Sequence, residues 1–356
     1  MRILQLIDSL DTGGAERMAV NYANVLHDKI ELSALAVTRK EGALKELLND
    51  EVPYLFLNRT KTVDIAALLR LRRFIKQHKI QILQAHGSSY FIASLVKMIT
   101  PGLKLIWHDH YGNSEYLENR AIRFLKWSSK TFDAVFAVNE NLKLWAQRTL
   151  KVRNAFYVRN FIAEAFPLEN SKEFSGIKGK RIVCVANLRA QKNHHLLLDA
   201  FEKLLETDPE YTLHLFGEAP NTSYATSLLA RIAQFPVKKL VFYHGVYLKM
   251  SAILPHFDIG VLASASEGLP LALLEYGQAG LPIVATDVGQ CKEVLAGFGA
   301  CVPANDVEIL TSALLSLRDT KKEAEINAIH FQKRVQEHYG ASGIVKKVID
   351  IYDQII

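Results

Sequence analysis

The feature that most constrains this chain is its regular alternation of short β-rich runs with longer segments of helical period. The runs 3–7, 32–37, 54–57, 80–85, 103–107 and 134–138 read as strands, with helices expected from Gly14 and from Asp64. Strands joined through helices run parallel, and a parallel sheet needs helices on both faces. The first half is therefore expected to be a doubly wound α/β domain. Between residues 166 and 176 the periodicity lapses into polar, turn-forming sequence, the expected linker. A second series at 181–186, 212–216, 240–243, 259–263 and 283–285 predicts another domain of the same kind. The segment 343–356 carries an apolar face at Ile344, Val348, Ile351 and Tyr352 and reads as a closing helix. The expected domains are 1–165 and 178–340, with 341–356 packing back on the first. Ligands of open α/β sheets bind beyond the carboxyl ends of the strands, so the two Rossmann-like domains are expected to face a central cleft.

Composition supports two cores: 356 residues, 49% hydrophobic and 22% charged. No run approaches the roughly 18 apolar residues a membrane-spanning helix requires, and polar residues interrupt the start too early for a signal peptide, so a cytoplasmic location is expected. Cys184, Cys291 and Cys301 are odd in number, widely spaced and set in apolar sequence, which predicts buried free thiols. The net charge of +6 and pI near 9.0 suit phosphorylated ligands, a polyanion or an anionic membrane surface. No zinc-finger spacing, Arg-Gly tail or basic-aromatic RNA signature occurs, and no nucleic-acid partner is expected. Positive charge concentrates in two amphipathic stretches, one with Arg70, Arg72, Arg73 and Lys76, the other with Arg120, Arg123 and Lys126. Each reads either as a solvated helix face or as a face that contacts a membrane.

The most informative segment follows the strand ending near Ala263: Ser264-Ala265-Ser266-Glu267-Gly268-Leu269-Pro270-Leu271-Ala272-Leu273-Leu274-Glu275-Tyr276-Gly277. Pro270 suits the first turn of a helix, and Gly268 lets the backbone before it approach a ligand closely. A helix start beyond a strand edge presents free amides to an anion. Glu267 precedes it, Glu275 lies more than a turn inside, and both carboxylates can accept hydrogen bonds from sugar hydroxyls.

Glu267 and Glu275, with seven residues between them, resemble the E-x7-E element of the retaining glycosyltransferase family 4, which includes many transferases of bacterial surface sugars. The run from Gly280 to Gln290, with Lys292-Glu293-Val294, is similar to that family's next strand and turn. Gly13-Gly14-Ala15-Glu16-Arg17 looks like its N-terminal glycine turn, and residues 185–193 look like its donor-phosphate loop. The resemblance thus covers nearly the whole chain and implies a GT-B fold, with an acceptor-binding first domain and a nucleotide-sugar-binding second one. It further implies a hexose or N-acetylhexosamine donor, a glycan or polyprenyl-linked acceptor, and a peripheral position at the inner face of the membrane. Lys192 and Arg189, with the backbone of Gly268, Leu269, Pro270 and Leu271, would bind the diphosphate and stabilise it as it departs. Glu267 would hold the sugar, Glu275 the ribose, and Gly13 and Gly14 would open amides toward the substrates. One departure stands out: many members carry Arg where this chain has Asn187, and Arg189 from the same loop is expected to replace it.

His108-Asp109-His110 follows a strand, and similar loops in the family line the reacting site, His110 being slightly preferred to His108; His86, at the end of another strand, is a further candidate. The alternation of a strand turns Asp109 away from the two histidines, no Asp-x-Asp occurs, and the resemblance implies neither a metal nor a cofactor. Three other readings stay open. These are a two-domain nucleotide-sugar epimerase, a NAD-dependent dehydrogenase, and a non-catalytic nucleotide-sugar binder. The dehydrogenase is disfavoured because Asp11-Thr12-Gly13-Gly14-Ala15-Glu16-Arg17 is not G-x-G-x-x-G and Val37-Thr38-Arg39-Lys40 offers no acidic ribose partner.

Overall fold

The structure is a computed structural model that describes residues 1–112, 117–234 and 239–356. The chain divides into two compact units, Met1–Ala163 with Ala341–Ile356, and Glu164–Gly340.

The first unit holds seven strands: β1 (Arg2–Ser9), β2 (Leu32–Lys40), β3 (Tyr54–Phe56), β4 (Ile82–His86), β5 (Lys104–Asp109), β6 (Ala134–Ala137) and β7 (Ala155–Tyr157). Their order is β3-β2-β1-β4-β5-β6-β7, and every pairing is parallel. The helices are α1 (Gly14–His27), α2 (Ile65–Gln77), α3 (Tyr90–Met98), α4 (Arg123–Ser128) and α5 (Glu140–Thr149), joined by the C-terminal helix Ala341–Ile355. Strands β1 and β4 are almost wholly buried because helices cover both faces, which is why they read as near-continuous apolar runs. Asp64 and Asn139 cap α2 and α5 by accepting from the amides of Ala67 and Leu142. The C-terminal helix buries Val345, Val348, Ile351 and Tyr352 against this unit, the Tyr352 ring stacking on Phe136 with centroids 5.8 Å apart.

The second unit holds β8 (Arg181–Val185), β9 (Thr212–Phe216), β10 (Val241–Tyr243), β11 (Ile259–Leu262), β12 (Ile283–Thr286) and β13 (Ala300–Val302), ordered β10-β9-β8-β11-β12-β13 and again all parallel. Its helices are α6 (His194–Thr207), α7 (Ser223–Gln234), α8 (Met250–Ile253), α9 (Leu271–Gln278), α10 (Cys291–Leu295), α11 (Val307–Asp319) and α12 (Lys321–Tyr339). The polar stretch expected to be a linker is packed into this unit. Phe174 sits among the rings of His214, Phe216, His244 and Phe257, and the Phe166 amide donates to Ser251 Oγ at 2.9 Å.

Both strand orders reverse direction once, between β1 and β4 and between β8 and β11. A reversal leaves a crevice at the carboxyl ends of the two strands because their connections leave toward opposite faces. The loops after β1, β4, β8 and β11 are therefore where ligand chemistry is to be sought.

Candidate functional site

In the second unit, the two loops at the reversal meet. The loop after β8 carries Asn187 to Asn193, and the loop after β11 carries Ser264 to Pro270. Ala265 N donates to Gln191 O at 2.8 Å, and Gln191 Nε2 donates to Ser266 O at 2.8 Å, so each loop braces the other. This contact brings Lys192 Nζ to 2.5 Å from Glu267 Oε1, across 75 residues of sequence. Ser264 Oγ donates to the same carboxylate oxygen at 2.6 Å. Glu267 is 5% exposed, whereas the Lys192 side chain is 24% exposed, so the cation faces outward from an enclosed carboxylate.

Immediately beyond, α9 starts at Leu271 with Pro270 as its N-cap, and no side chain caps it. Gly268, Leu269 and Pro270 are buried, while Leu271 and Glu275 are half-buried. The helix is held by Tyr276, whose hydroxyl accepts from Val185 N at 2.7 Å and donates to Val261 O at 3.2 Å, tying α9 to the two strands at the reversal. Gly289 braces the loop from the other side at φ +54°, and a β-carbon there would strike the Glu267 carbonyl. Gln290 N then donates to Gly268 O at 3.1 Å. The result is an uncapped helix start beside a lysine and a carboxylate, an arrangement that binds anions and hydroxyl-bearing ligands.

Asn187, where the family pattern has arginine, performs a different task. Its Oδ1 accepts from Glu218 N at 2.9 Å and closes the loop against the strand β9 turn. Arg189 is exposed and carries no ion pair among the described residues, leaving its charge available to a ligand.

In the first unit, α1 begins at Gly14 with Gly13 in extended conformation and no side-chain cap. Neither glycine is left-handed, and a β-carbon on Gly13 would meet only the end of the flexible Glu16 side chain. Around that turn lies a cluster that sequence reasoning missed. Asp8, at the end of β1, accepts from Thr38 Oγ1, from Arg59 Nη2 at 3.1 Å and from Ser88 Oγ at 2.6 Å. Arg59 is buried, and burial pulls its pKa below the usual guanidinium value. Its four members come from four different strand ends, so no local motif announces it.

The three candidate histidines converge. His86 ends β4 and His108 lies opposite it in register on β5. His86 Nε2 lies 2.8 Å from Gln5 Oε1 and its Nδ1 lies 3.0 Å from His110 Nε2. With the Gln5 amide oxygen facing it, His86 is assigned its proton on Nε2, and its bare Nδ1 then accepts from His110 Nε2. His110 is thus left with an unprotonated Nδ1, an enclosed acceptor with no partner among the described residues. On the other side, Gln84 Nε2 lies 3.0 Å from His108 Nδ1, and Tyr352 of the C-terminal helix donates to Gln84 Oε1. Burial first, and neighbouring histidines second, hold His86 and His108 neutral far below the ordinary imidazole range, and burial brings His110 down to about 3. His108 and His86 are fully enclosed; His110 is the partly exposed member.

The ligand nitrogens of these imidazoles lie within 4.8 Å of one another, the grouping among the described residues that could hold a metal ion. However, the His86 and His110 rings lie 5.2 Å apart with planes only 14° apart, so they meet edge to edge through an N–H···N bond. That aims the His86 lone pair along a neighbouring N–H instead of at a shared ligand position.

Asp109 does turn away from the histidines, and it meets Arg120. Arg120 makes bidentate bonds of 2.7 and 2.8 Å to it and lies over the rings of Trp107, Tyr111 and Trp145. This corrects the expectation of an outward basic face at that position: the Arg120 side chain is 11% exposed and serves the interior. Arg70 and Arg72 likewise spend donors on the carbonyls of Leu57 and Ile99. The three cysteines are unpaired, Cys184 and Cys291 buried and Cys301 half-buried. Burial pushes the Cys184 thiol up to about 12.

Two doubly wound parallel units, one carrying a lysine–carboxylate pair at an uncapped helix start, define a GT-B glycosyltransferase. Residues 12–164 match Glycosyltransferase Family 4, and residues 179–320 match Glycosyl transferases group 1. Over 314 residues the chain is 22% identical to the O-antigen biosynthesis glycosyltransferase WbnH of Escherichia coli, covering 85% of this chain and 86% of that protein. It is 21% identical over 373 residues to the E. coli UDP-Gal:alpha-D-GlcNAc-diphosphoundecaprenol alpha-1,3-galactosyltransferase, covering 96% and 94% of the two chains. Among solved structures, Anabaena HepE in complex with UDP and glucose superposes with a TM-score of 0.82 at 17% identity, covering 99% of this chain and all of that one. The protein belongs to the family 4 glycosyltransferases.

Proposed function

We propose that the chain transfers a hexose or N-acetylhexosamine, with retention at the anomeric carbon, from a UDP-sugar to a polyprenyl-diphosphate-linked glycan in surface-polysaccharide synthesis. The observation that carries the donor half is the Lys192–Glu267 pair at the start of α9. Lys192, Arg189 and the first amides of α9 neutralise the charge that grows on the departing diphosphate. Glu267 holds sugar hydroxyls and Glu275 the ribose. His110, held neutral by burial and the partly exposed member of its group, is the residue of the first unit assigned to position the reacting sugar, and His108 and His86 support it from within. The departing phosphate takes the acceptor proton. The first unit, including the α1 start at Gly13 and Gly14, binds the acceptor, and the protein works peripherally at the inner, anionic side of the membrane. The acceptor class is supported by the E. coli galactosyltransferase named for its GlcNAc-diphosphoundecaprenol substrate, and the donor base by HepE's UDP and glucose.

The test is thermal stabilisation by UDP-, GDP- and ADP-sugars alongside NAD, with wild type and Glu275→Ala, followed by NMR of the anomeric product. A shift with a UDP-sugar, absent in the variant, and an α-linked product from an α-linked donor are expected. Chelation of divalent metals should leave turnover unchanged. A shift with NAD alone, or an inverted product, would remove the reading.

A further inference from the structure

At the opposite edge of the first sheet from the histidines, a groove of about 810 Å³ lies just before the amino ends of β6 and β7. Its walls come from α4 with the turn after it and from the segment joining α5 to β7. Lys126, Lys130, Lys151 and Arg153 line it, and Trp127 and Phe132 supply its apolar wall. All four cations are exposed and carry neither an ion pair nor a side-chain hydrogen bond among the described residues. The carboxylate in the lining, Asp133, is already committed to Lys97 and to the amide of Leu105.

Other cations of this unit are neutralised. Arg2, Arg59, Lys97, Arg120 and Lys143 each have an acidic partner. The rim is apolar as well: Phe124 is 63% exposed and Trp127 40%, both touching the Phe91 ring at centroid distances of 5.8 Å. Met98, 60% exposed, and Ile99, 38%, extend it from the end of α3, which packs on α4. In α4, Leu125 turns into the core while Arg123, Phe124, Lys126 and Trp127 turn out. Exposed aromatics beside unpaired cations fit the boundary between lipid headgroups and acyl chains, where rings enter the apolar layer and ammonium groups meet phosphates.

We propose that this groove is the docking site for the phosphate headgroup of an anionic phospholipid, with Phe124 and Trp127 entering the bilayer surface beside it. The inference rests on the membrane-facing reading above and gives it a location. Of the cations first suspected from the sequence, Arg120 is enclosed and Arg70 and Arg72 each donate to a backbone carbonyl, while Arg73, Lys76 and Arg123 stay exposed; the groove beside α4 is where exposed cations adjoin exposed aromatic rings. Docking here leaves the carboxyl edge of the sheet, with His110 and the α1 start, open to substrate.

The test is flotation with vesicles of phosphatidylcholine alone or with phosphatidylglycerol, at about 0.1 M salt, where surface charge is felt over roughly 10 Å. The full chain is compared with a triple variant, Lys130→Gln with Lys151→Asn and Arg153→Gln, and with an equally charged control, Lys321→Gln with Lys322→Gln and Lys347→Gln. Each charge removed from a docking face should lower partitioning about fivefold, the equivalent of about 1 kcal/mol. The groove variant should therefore lose about a hundredfold and the control little. Phe124→Ser should weaken binding even in high salt. Turnover of a short-chain, water-soluble acceptor should be the same in all of them, which separates this inference from the transfer reaction: loss of turnover in wild type would count against the function and leave the vesicle result standing. Equal losses in variant and control, no preference of wild type for phosphatidylglycerol, or heparin binding that falls in parallel with vesicle binding would each overturn the proposal.

Discussion

The contact between Lys192 and Glu267 in the candidate donor site offers the sharpest quantitative test of how its two loops are coupled. At 2.5 Å and an effective dielectric near 20, the gross attraction is about 7 kcal/mol. Enclosing Glu267 costs several kcal/mol of lost hydration, and the partly exposed lysine is screened, so the net coupling should be about 2 kcal/mol. Lys192→Met removes the cation and leaves an enclosed carboxylate with the Ser264 hydroxyl as its remaining named donor, which should cost about 3 kcal/mol. Glu267→Gln keeps a group for Ser264 and lets the lysine hydrate, at about 1 to 2 kcal/mol. The double variant should cost about 2 kcal/mol less than the sum of the two. A chain of two units does not unfold as one transition, so hydrogen exchange at β8 and β11 amides should be read in place of a single melt. Single effects that add to within about 0.5 kcal/mol would refute the reasoning, because they would show that the two groups do not feel each other.

The histidine group makes the first unit acid-sensitive. The folded values lie below the unfolded value near 6.5, so the stabilisation is complete above that pH and is lost as pH falls toward the folded values, by about 2 kcal/mol per histidine at pH 5. Exchange rates of β4 and β5 amides that stay constant from pH 7.5 to 5, after correction for intrinsic exchange, would contradict it. Arg120→Ala should destabilise by about 3 kcal/mol by stranding enclosed Asp109, whereas Arg123→Ala on the surface should change urea midpoints little. Gly289→Ala should cost about 2 kcal/mol and abolish donor-induced thermal stabilisation, through its left-handed backbone and the collision with Glu267; unaltered donor response would count against the brace.

The doubly wound architecture was legible because buried parallel strands are written as apolar runs bounded by turns. The strands β7 and β13, three residues each, escaped notice although β3 and β10 are equally short: Ala155–Tyr157 and Ala300–Val302 open on a small residue, without the large apolar or β-branched start that marks a strand, and pairing with a neighbour makes them strands. The two loops of the candidate donor site were legible for a related reason: each is continuous in sequence. Their meeting was not, and neither was the role of Asn187, whose side chain answers an amide 31 residues away. The basic stretch around Arg120 misled because charge patterning cannot show that an acid 11 residues earlier, together with three aromatic rings, draws one arginine inward. The cluster on Asp8 lay wholly beyond local reading, its parts scattered from β1 to the turn after β4.

The C-terminal helix carries a consequence for how the molecule is made. Tyr352 donates to Gln84 and stacks on Phe136, so the polar centre of the first unit is finished by residues synthesised after the entire second unit. The second unit is continuous in sequence and has all its strands once residue 302 is made. During translation the later unit can therefore close first, while the earlier one waits with Val345, Val348 and Ile351 still missing from its core. Acquisition of protease resistance on stalled ribosomes should follow that inverted order.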